Sequence, residues 1–490
     1  MNAVRSYLIA LFLAVPLHAQ TIQLSTYFGA QGTNGVQAMT TVAAMAADSV
    51  GDAYLVGSTN SSLPCAGTIR GVQNAFVAMV SDLYKRPAWC TFIGNSTDYG
   101  YGIALDAGGN VYVAGMTNSP GLGTAGAYQT SLVGTYDAFV AELDSTGTLQ
   151  WFTYLGRAFT SQANSVFVDS TGVYITGYTT GDGWPVAGGV SQTTYGGGGF
   201  DVAMAKLSLD GSSLLWSGYL GGSSDDVGYR LAVSPDGSQA CLDGYSKSNN
   251  YPTTEGAFQN TKNAQRAAIV TCVDPETGAT QASTYFGGST SNTQQCNACA
   301  AGLTFDYSGN VWIVGLAQNE SNFPITVNTA LQPTYGGGLH DAFIAELYPS
   351  LSGVEYCTWF GGTGDDGALA PEFDSSGNLW IHGNTFSQHL ALYGSPFQSA
   401  NGGPNQTSDA FLLELSPPDS IHSSWWGAYD TFLGGSANEF GGATQSLAVG
   451  PGVIWFGGYT ESTNFPLVNA FDKTLKGTEA GFVALLSYVP

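Results

Sequence analysis

The chain has 490 residues, a formal net charge of −24 and only 12 Lys and Arg. With charged residues at 10% and aromatics at 12%, it is not a disordered polyelectrolyte, which would be charge-rich and aromatic-poor. Nucleic acid is excluded as a partner, because phosphate binding needs clustered Lys and Arg to release counterions.

Residues 1–19 carry Arg5, an apolar run from Tyr7 to Val15 and a small residue at Ala19. That pattern predicts a secretory signal peptide, too short to span a bilayer. The mature chain, 20–490, is therefore expected to be exported: periplasmic, cell-surface or secreted. No later apolar run approaches about 18 residues, so no transmembrane segment is predicted. Export permits disulfides, and an odd count of seven cysteines leaves at least one without a partner in the chain. Cys296-Asn-Ala-Cys299 is a lone C-x-x-C. Without a second pair of zinc ligands it predicts a local disulfide or free thiols rather than a metal.

The next element, "TIQLSTYFGA" at 21–30, reads as a strand running into an aromatic pair and Gly29. Near-copies follow as "WFTYLGR", "LWSGYLGG", "QASTYFGG", "YCTWFGG" and "YDTFLGG". Aligned on the glycine, the marks are Gly29, Gly94, Gly156, Gly221, Gly287, Gly361 and Gly434, spaced by 65, 62, 65, 66, 74 and 73 residues. Such a period signals a repeat architecture.

Residues 94–156 show the plan of one unit. "YGIALD" is an alternating strand a, "AGGN" a turn, and "VYVAGMT" strand b. About 20 residues then lead to "DAFVAELD", strand c, and across "STGT" to "LQWFTYLG", strand d. Four short strands per repeat predict a β-propeller blade. The a–b turns Asp106–Asn110, Asp306–Asn310 and Asp374–Asn378 follow D-x-x-G-N, in which Asp bonds the turn backbone and Gly supplies positive φ. Tyr54, Tyr112, Tyr174, Trp312, Trp380 and Trp455 recur at one register of strand b. They are expected to pack between blades rather than to stack sugars. Strand c opens on Asp137, Asp201, Asp341 and Asp409, usually after Gly-rich runs that lack the Lys-Ser/Thr of a phosphate loop. The b–c stretch has its own marks, "NFP" and "GAFQ" or "GAYQ", and is expected to be ordered.

The ordered set "STYFGG", "D-x-x-GNVYV-x-G-x-T", "SNFP" and "YGGG-x-DAF[VI]AEL" resembles the seven-bladed beta-propeller repeat (SBBP) proteins of bacteria, over essentially 21–490. "QRAAIVTCVD" departs most, lacking the leading Asp and the Phe. The resemblance implies an exported or surface location and no particular chemistry. The expected fold is all-β: one seven-bladed propeller of four-stranded antiparallel blades. Blade boundaries fall near 36–94, 95–156, 157–221, 222–287, 288–361, 362–434 and 435–490. The last unit has strands a, b and c only, so 21–28 is predicted to supply its outer strand and close the ring.

In such blades the d–a and b–c connections share one face. Most length variation falls in them, which marks that face as the expected binding face. Four residues after the marker glycine stand Asp98, Asp225, Asp365 and Asn438, with Asp226 and Asp366 beside two of them. Each Asp is expected to cap its own loop. The sharper expectation is a cation, Ca²⁺, a hard ion wanting six to eight oxygens, at Asp225, Asp226, Asp365, Asp366 and Asp98. No catalytic set is read from the sequence. His340, His382, His389 and His422 form no ring and no H-E-x-x-H, and no G-x-S-x-G elbow is present. The expected function is a monomeric, non-enzymatic binding, adhesion or scaffold module for a protein or glycan at the loop face. The alternative is a carbohydrate-active hydrolase or lyase with its site at the mouth of the central channel.

Overall fold

The computed structural model describes residues 20–29, 38–66, 69–262, 264–289, 298–404, 406–442 and 445–488. The leader at 1–19 and Cys296 lie outside them. Among the described residues, 29 strands and no helix make seven antiparallel sheets. Six sheets run a-b-c-d in chain order: 40–93, 98–155, 161–220, 226–286, 298–360 and 366–433. The seventh takes strand d from the other end of the chain. Thr21–Phe28 pairs antiparallel with Ala480–Ser487, with Thr21 opposite Ser487 and Phe28 opposite Gly481. The inner strand of this last blade comes in two pieces, Glu439–Gly441 and Leu447–Gly450, both paired with strand b, Val453–Thr460.

The repeated residues have identifiable tasks. In "STYFG" the Tyr hydroxyl donates to a carbonyl in the b–c segment: Tyr27 to Ser462 at 2.6 Å, Tyr154 to Ser119 at 2.7 Å, Tyr285 to Ser248 at 2.7 Å. The following aromatic reaches the next blade, as Phe28 on Phe76, Phe286 on Phe343 and Phe360 on Phe411, with centroids 5.6, 5.4 and 5.3 Å apart. The marker glycine's N–H donates to the b–c glutamine, Gly221 to Gln192 at 3.0 Å and Gly434 to Gln398 at 3.1 Å. These bonds order the b–c stretch. In the a–b turns, Asp106 Oδ1 accepts from Gly108 and Asn110 N–H at 2.8 Å each, and Gly109 sits at φ +81°.

The glycine of "V-x-G-x-T" in strand b allows the inner strands to close. A Cβ on Gly57, Gly115, Gly177, Gly244 or Gly458 would lie 1.9 Å from a carbonyl oxygen of strand a. Only a residue without a side chain admits that approach. Just beyond it strand a bulges, with register breaks at Val42/Ala44, Gly100/Gly102, Ala163/Ser165, Gly228/Leu231, Ala300/Gly302 and Ala368/Ala370.

The core lies between blades. Tyr54, Tyr112, Tyr174, Trp312, Trp380 and Trp455 are all buried. Each joins an apolar cluster with strands of the following blade: Tyr112 with Ile175 and Ala205, Trp312 with Phe411 and Leu413, Trp455 with Leu55 and Ala78. They pack, as expected, and offer no sugar platform. Disulfides join Cys65 to Cys90 and Cys241 to Cys272, and Cys299 is also disulfide-bonded. Cys357 is a free, buried thiol whose ionisation burial pushes up.

Candidate functional site

Strands a of successive blades lie innermost against one another. Their N-terminal ends, the d–a loops and the b–c segments share one face. Asp98, which opens strand a of blade 2, shows this directly. Its carboxylate receives Thr117 and Ser119 from the end of strand b and Asn74 from the start of a neighbouring strand c.

The tandem acids do not converge on one point. Asp225 lies in its loop, paired with Lys247 at 2.8 Å and accepting from Gly199 N–H at 2.8 Å. Burial pushes its carboxyl up, but these donors outweigh it and hold it below the usual range. Asp365 likewise caps a neighbouring loop, accepting from Leu339 and His340 N–H. Asp226 and Asp366, the first residues of their strands a, are instead buried in the body of the blade. Asp226 Oδ2 accepts from Gly222 N–H and Ser248 hydroxyl, both at 2.7 Å, and Asp366 Oδ2 from Gly362 and Ser387 at 2.7 and 2.8 Å. In this structure the five residues expected to bind Ca²⁺ cap loops and anchor strand ends. No three His, Cys, Asp or Glu gather as a metal cluster among the described residues.

The structure also corrects the alignment. The loops after Gly221, Gly361 and Gly434 are one residue longer than the loop after Gly94. The residues equivalent to Asp98 are thus Asp226, Asp366 and Glu439, which open their strands a. Each faces the residue that opens strand c of the preceding blade: Asn74 for Asp98, Asp201 for Asp226, Asp341 for Asp366 and Asp409 for Glu439. Burial pushes Asp201, Asp341 and Asp409 up to about 7 and Asp366 to about 6.

Around the channel mouth, sequence reasoning missed a set of aromatics. One register above the bulge, strands a and b carry the facing pairs Tyr99–Met116, Gln162–Tyr178, Val227–Tyr245 and Phe440–Tyr459. The bulge residues Tyr101 and Tyr229 add to them. Tyr99 stacks on Tyr101 at 6.0 Å, Tyr178 meets Phe200 edge-on at 5.0 Å, Tyr229 lies 5.9 Å from Tyr245, and Arg266 covers Tyr245 at 4.1 Å. Tyr178 is near enough to both Tyr101 and Tyr229 to raise their hydroxyl pKa values, which places blades 2 to 4 on one arc. Opposite, Phe440 lies 6.1 Å from Phe386 and 5.2 Å from Tyr459. Beside Phe386 a cavity of about 540 Å³ is lined by Thr363, Gly364, Asp365, Phe386, Gln388 and Gln406. Most of these rings are half-buried, unlike the fully buried aromatics between blades. The signal was present: the position after the strand-b glycine is Ser58, Met116, Tyr178, Tyr245, Leu316, Asn384 or Tyr459, variable inside an otherwise fixed motif.

Deeper in the channel wall stand Arg230, Asp243 and Glu372. Asp243 Oδ1 accepts from Arg230 N–H at 2.9 Å. Burial pushes Asp243 and Glu372 up to about 7, against the pull of Arg230. His382 is buried, with Nδ1 2.8 Å from Ser446 Oγ, and burial pushes it down to about 3, so it stays a neutral packing group. His422 stacks on Trp426 at 4.2 Å near Asp419.

The family profile described as beta-propeller repeat, SBBP, matches residues 24–64 and 89–121. Both matched segments carry the SBBP beta-propeller repeat. The other blades carry the same motifs in the same order, with "QRAAIVTCVD" of blade 4 departing most. No curated protein matches the chain. Among solved structures, a chain of the mitotic checkpoint complex is similar at 8% identity and TM-score 0.47, covering 100% of this chain and 97% of that one. Hydrazine synthase from Kuenenia stuttgartiensis is similar at 8% identity and TM-score 0.39, over 86% and 95%. A luciferin-regenerating enzyme is similar at 10% identity and TM-score 0.34, over 74% and 88%.

Proposed function

We propose that this SBBP propeller is an exported, non-enzymatic binding module, acting in adhesion or as a scaffold, and that its loop face takes a neutral glycan. The observation that carries this reading is the aromatic rim of the channel mouth. Its rings are mostly half-buried and mostly tyrosine, and each tyrosine offers a flat apolar face and a polar tip. Carboxylates and amides such as Asp365, Gln388 and Gln406 lie beside them. That mixture suits a sugar, whose ring stacks while its hydroxyls donate. The net charge of −24 disfavours a polyanion. A glycan array probed with the purified chain tests the reading, and binding to no glycan while a protein partner is retained at this face would replace it with the protein-ligand form.

The second reading is a hydrolase or lyase at the same mouth. It is favoured by Asp243 and Glu372, two carboxyls raised toward neutrality in the channel wall beside Arg230. A hydrolysis screen over neutral polysaccharides separates the two. Chain cleavage abolished by Asp243→Asn would select the enzyme, and binding without cleavage the module.

A further inference from the structure

We propose that the junction between blades 6 and 7 is locked by one proton held between Asp409 and Glu439, so that this part of the ring is tight in acid and loosens as the pH rises past neutrality. Asp409 opens strand c of blade 6, Asp409–Ser416, and Glu439 opens strand a of blade 7. Both are fully buried. Asp409 Oδ2 accepts from Gln398 Nε2 at 2.9 Å and Gly402 N–H at 2.8 Å. Glu439 Oε1 accepts from Thr460 hydroxyl at 2.6 Å and Oε2 from Gly435 N–H at 2.8 Å. Asp409 Oδ1 alone has no partner. A buried carboxylate oxygen without a donor is costly, and the group it approaches is another carboxyl. The two acids crowd the same backbone point, since a Cβ on Gly434 would lie 2.2 Å from Asp409 Oδ1 and 2.6 Å from Glu439 Oε2. They are within hydrogen-bonding reach of each other. Two like charges so close cannot both ionise cheaply. A proton on Oδ1, donated to Glu439, supplies the missing partner and removes the repulsion.

The other junctions act as internal controls. Between blades 1 and 2 the strand-c residue is Asn74, whose Nδ2 donates to Asp98 Oδ2 at 3.1 Å, and there no carboxyl oxygen lacks a partner. Asn74 carries permanently the donor that Asp409 gains from a proton. Between blades 2 and 3 Asp137 meets no second acid, and Val133, Gly134 and Gln129 satisfy its oxygens. Orphaned Oδ1 atoms reappear at Asp201 and Asp226 and at Asp341 and Asp366, the two other places where acid faces acid. The proton is assigned to the strand-c acid, the one that stands where Asn74 stands.

Tyr27, from the N-terminal strand, is the further titratable group that feels Glu439. The other neighbours of the pair are the amides and hydroxyls of Gln398, Gly402, Gly435, Thr460 and Ser462. A bridging divalent cation would want six to eight oxygens, and no third acidic, His or Cys ligand joins the pair among the described residues.

The test counts protons. The full chain is unfolded thermally from pH 5 to 8, in EDTA and again in CaCl₂, as wild type, Asp409→Asn and Glu439→Gln. The slope of stability against pH gives the protons released on unfolding. The proposal predicts that Asp409→Asn folds, melts above the wild type at pH 8, and releases about one proton fewer near pH 6. If Asp409→Asn does not fold, Glu439→Gln, which also supplies an amide donor, is expected to show the same loss of one proton. Equal proton release by wild type and the folded variant would overturn the proposal. So would a rise in wild-type melting temperature with CaCl₂ at pH 8 that the variant lacks, because the pair would then hold a cation.

Discussion

The closing strand lends itself to a quantitative test. Leu24 and Phe28 are fully buried against blade 1, in a cluster with Leu55 and Phe76. Phe28 stacks on Phe76 at 5.6 Å and meets Phe471 edge-on at 6.3 Å. Replacing Leu24 by Ala is expected to cost about 2–5 kcal/mol and Phe28 by Ala about 3–5 kcal/mol. Together these approach the whole stability of a typical protein, about 5–15 kcal/mol. The double variant should therefore release 21–28 from Ala480–Ser487 and expose an apolar edge, "AGFVALLS", that pairs with other chains. Urea denaturation followed by light scattering reads both effects: a large drop in midpoint and concentration-dependent association. Thr21→Ala, at the exposed start of the same strand, should change neither. A double variant that keeps the wild-type midpoint and stays monomeric would refute the claim that this strand closes the ring.

Three further outcomes are expected. Gly115→Ala should destabilise the chain by several kcal/mol, because its Cβ would sit 1.9 Å from Tyr99 O; a midpoint close to that of the wild type would show that strand a can move aside. Reducing or mutating the Cys241–Cys272 bridge, which joins facing residues of strands b and c, should cost about 2–4 kcal/mol, measured by denaturation with and without reductant. The chain should also be more stable at pH 5 than at pH 8. Burial pushes Asp243, Glu320, Glu346, Glu414 and Asp430 up to about 7, against about 4 in an unfolded chain. The folded state thus binds more protons between those values. The associated stability is fully present below about 4 and is lost as the pH rises through 7. A denaturation midpoint that climbs from pH 5 to 8 would contradict this.

The propeller was legible because its signals are local and repeated. Strand alternation, D-x-x-G-N turns and the TYFG mark each follow from a bond or a contact inside one unit. The closing role of 21–28 also followed, because the count of strands left the last blade one short. The site was less legible, for two physical reasons. A fixed offset from the marker glycine placed Asp225 and Asp365 beside Asp98, but a single inserted residue shifted the register. Because the strands begin at Asp226 and Asp366, that shift exchanged loop-capping acids for buried ones. The partners of those buried acids lie on strand c of the preceding blade, so that Asp409 and Glu439 are 30 residues apart in the chain. The channel rim is assembled from one or two residues per blade, and no single unit displays it.

The most direct test of the proposed function compares two tyrosine variants in a glycan-binding assay. Tyr178→Ala removes the ring that joins blades 2 to 4 at the channel mouth. Tyr307→Ala removes a ring that is 67% exposed on the opposite, tight-turn face. Isothermal titration with the neutral oligosaccharide selected on the array should show at least about a tenfold loss of affinity, about 1.4 kcal/mol, for Tyr178→Ala, and none for Tyr307→Ala. Equal affinity for both variants and the wild type would place binding elsewhere and contradict the rim as the functional site.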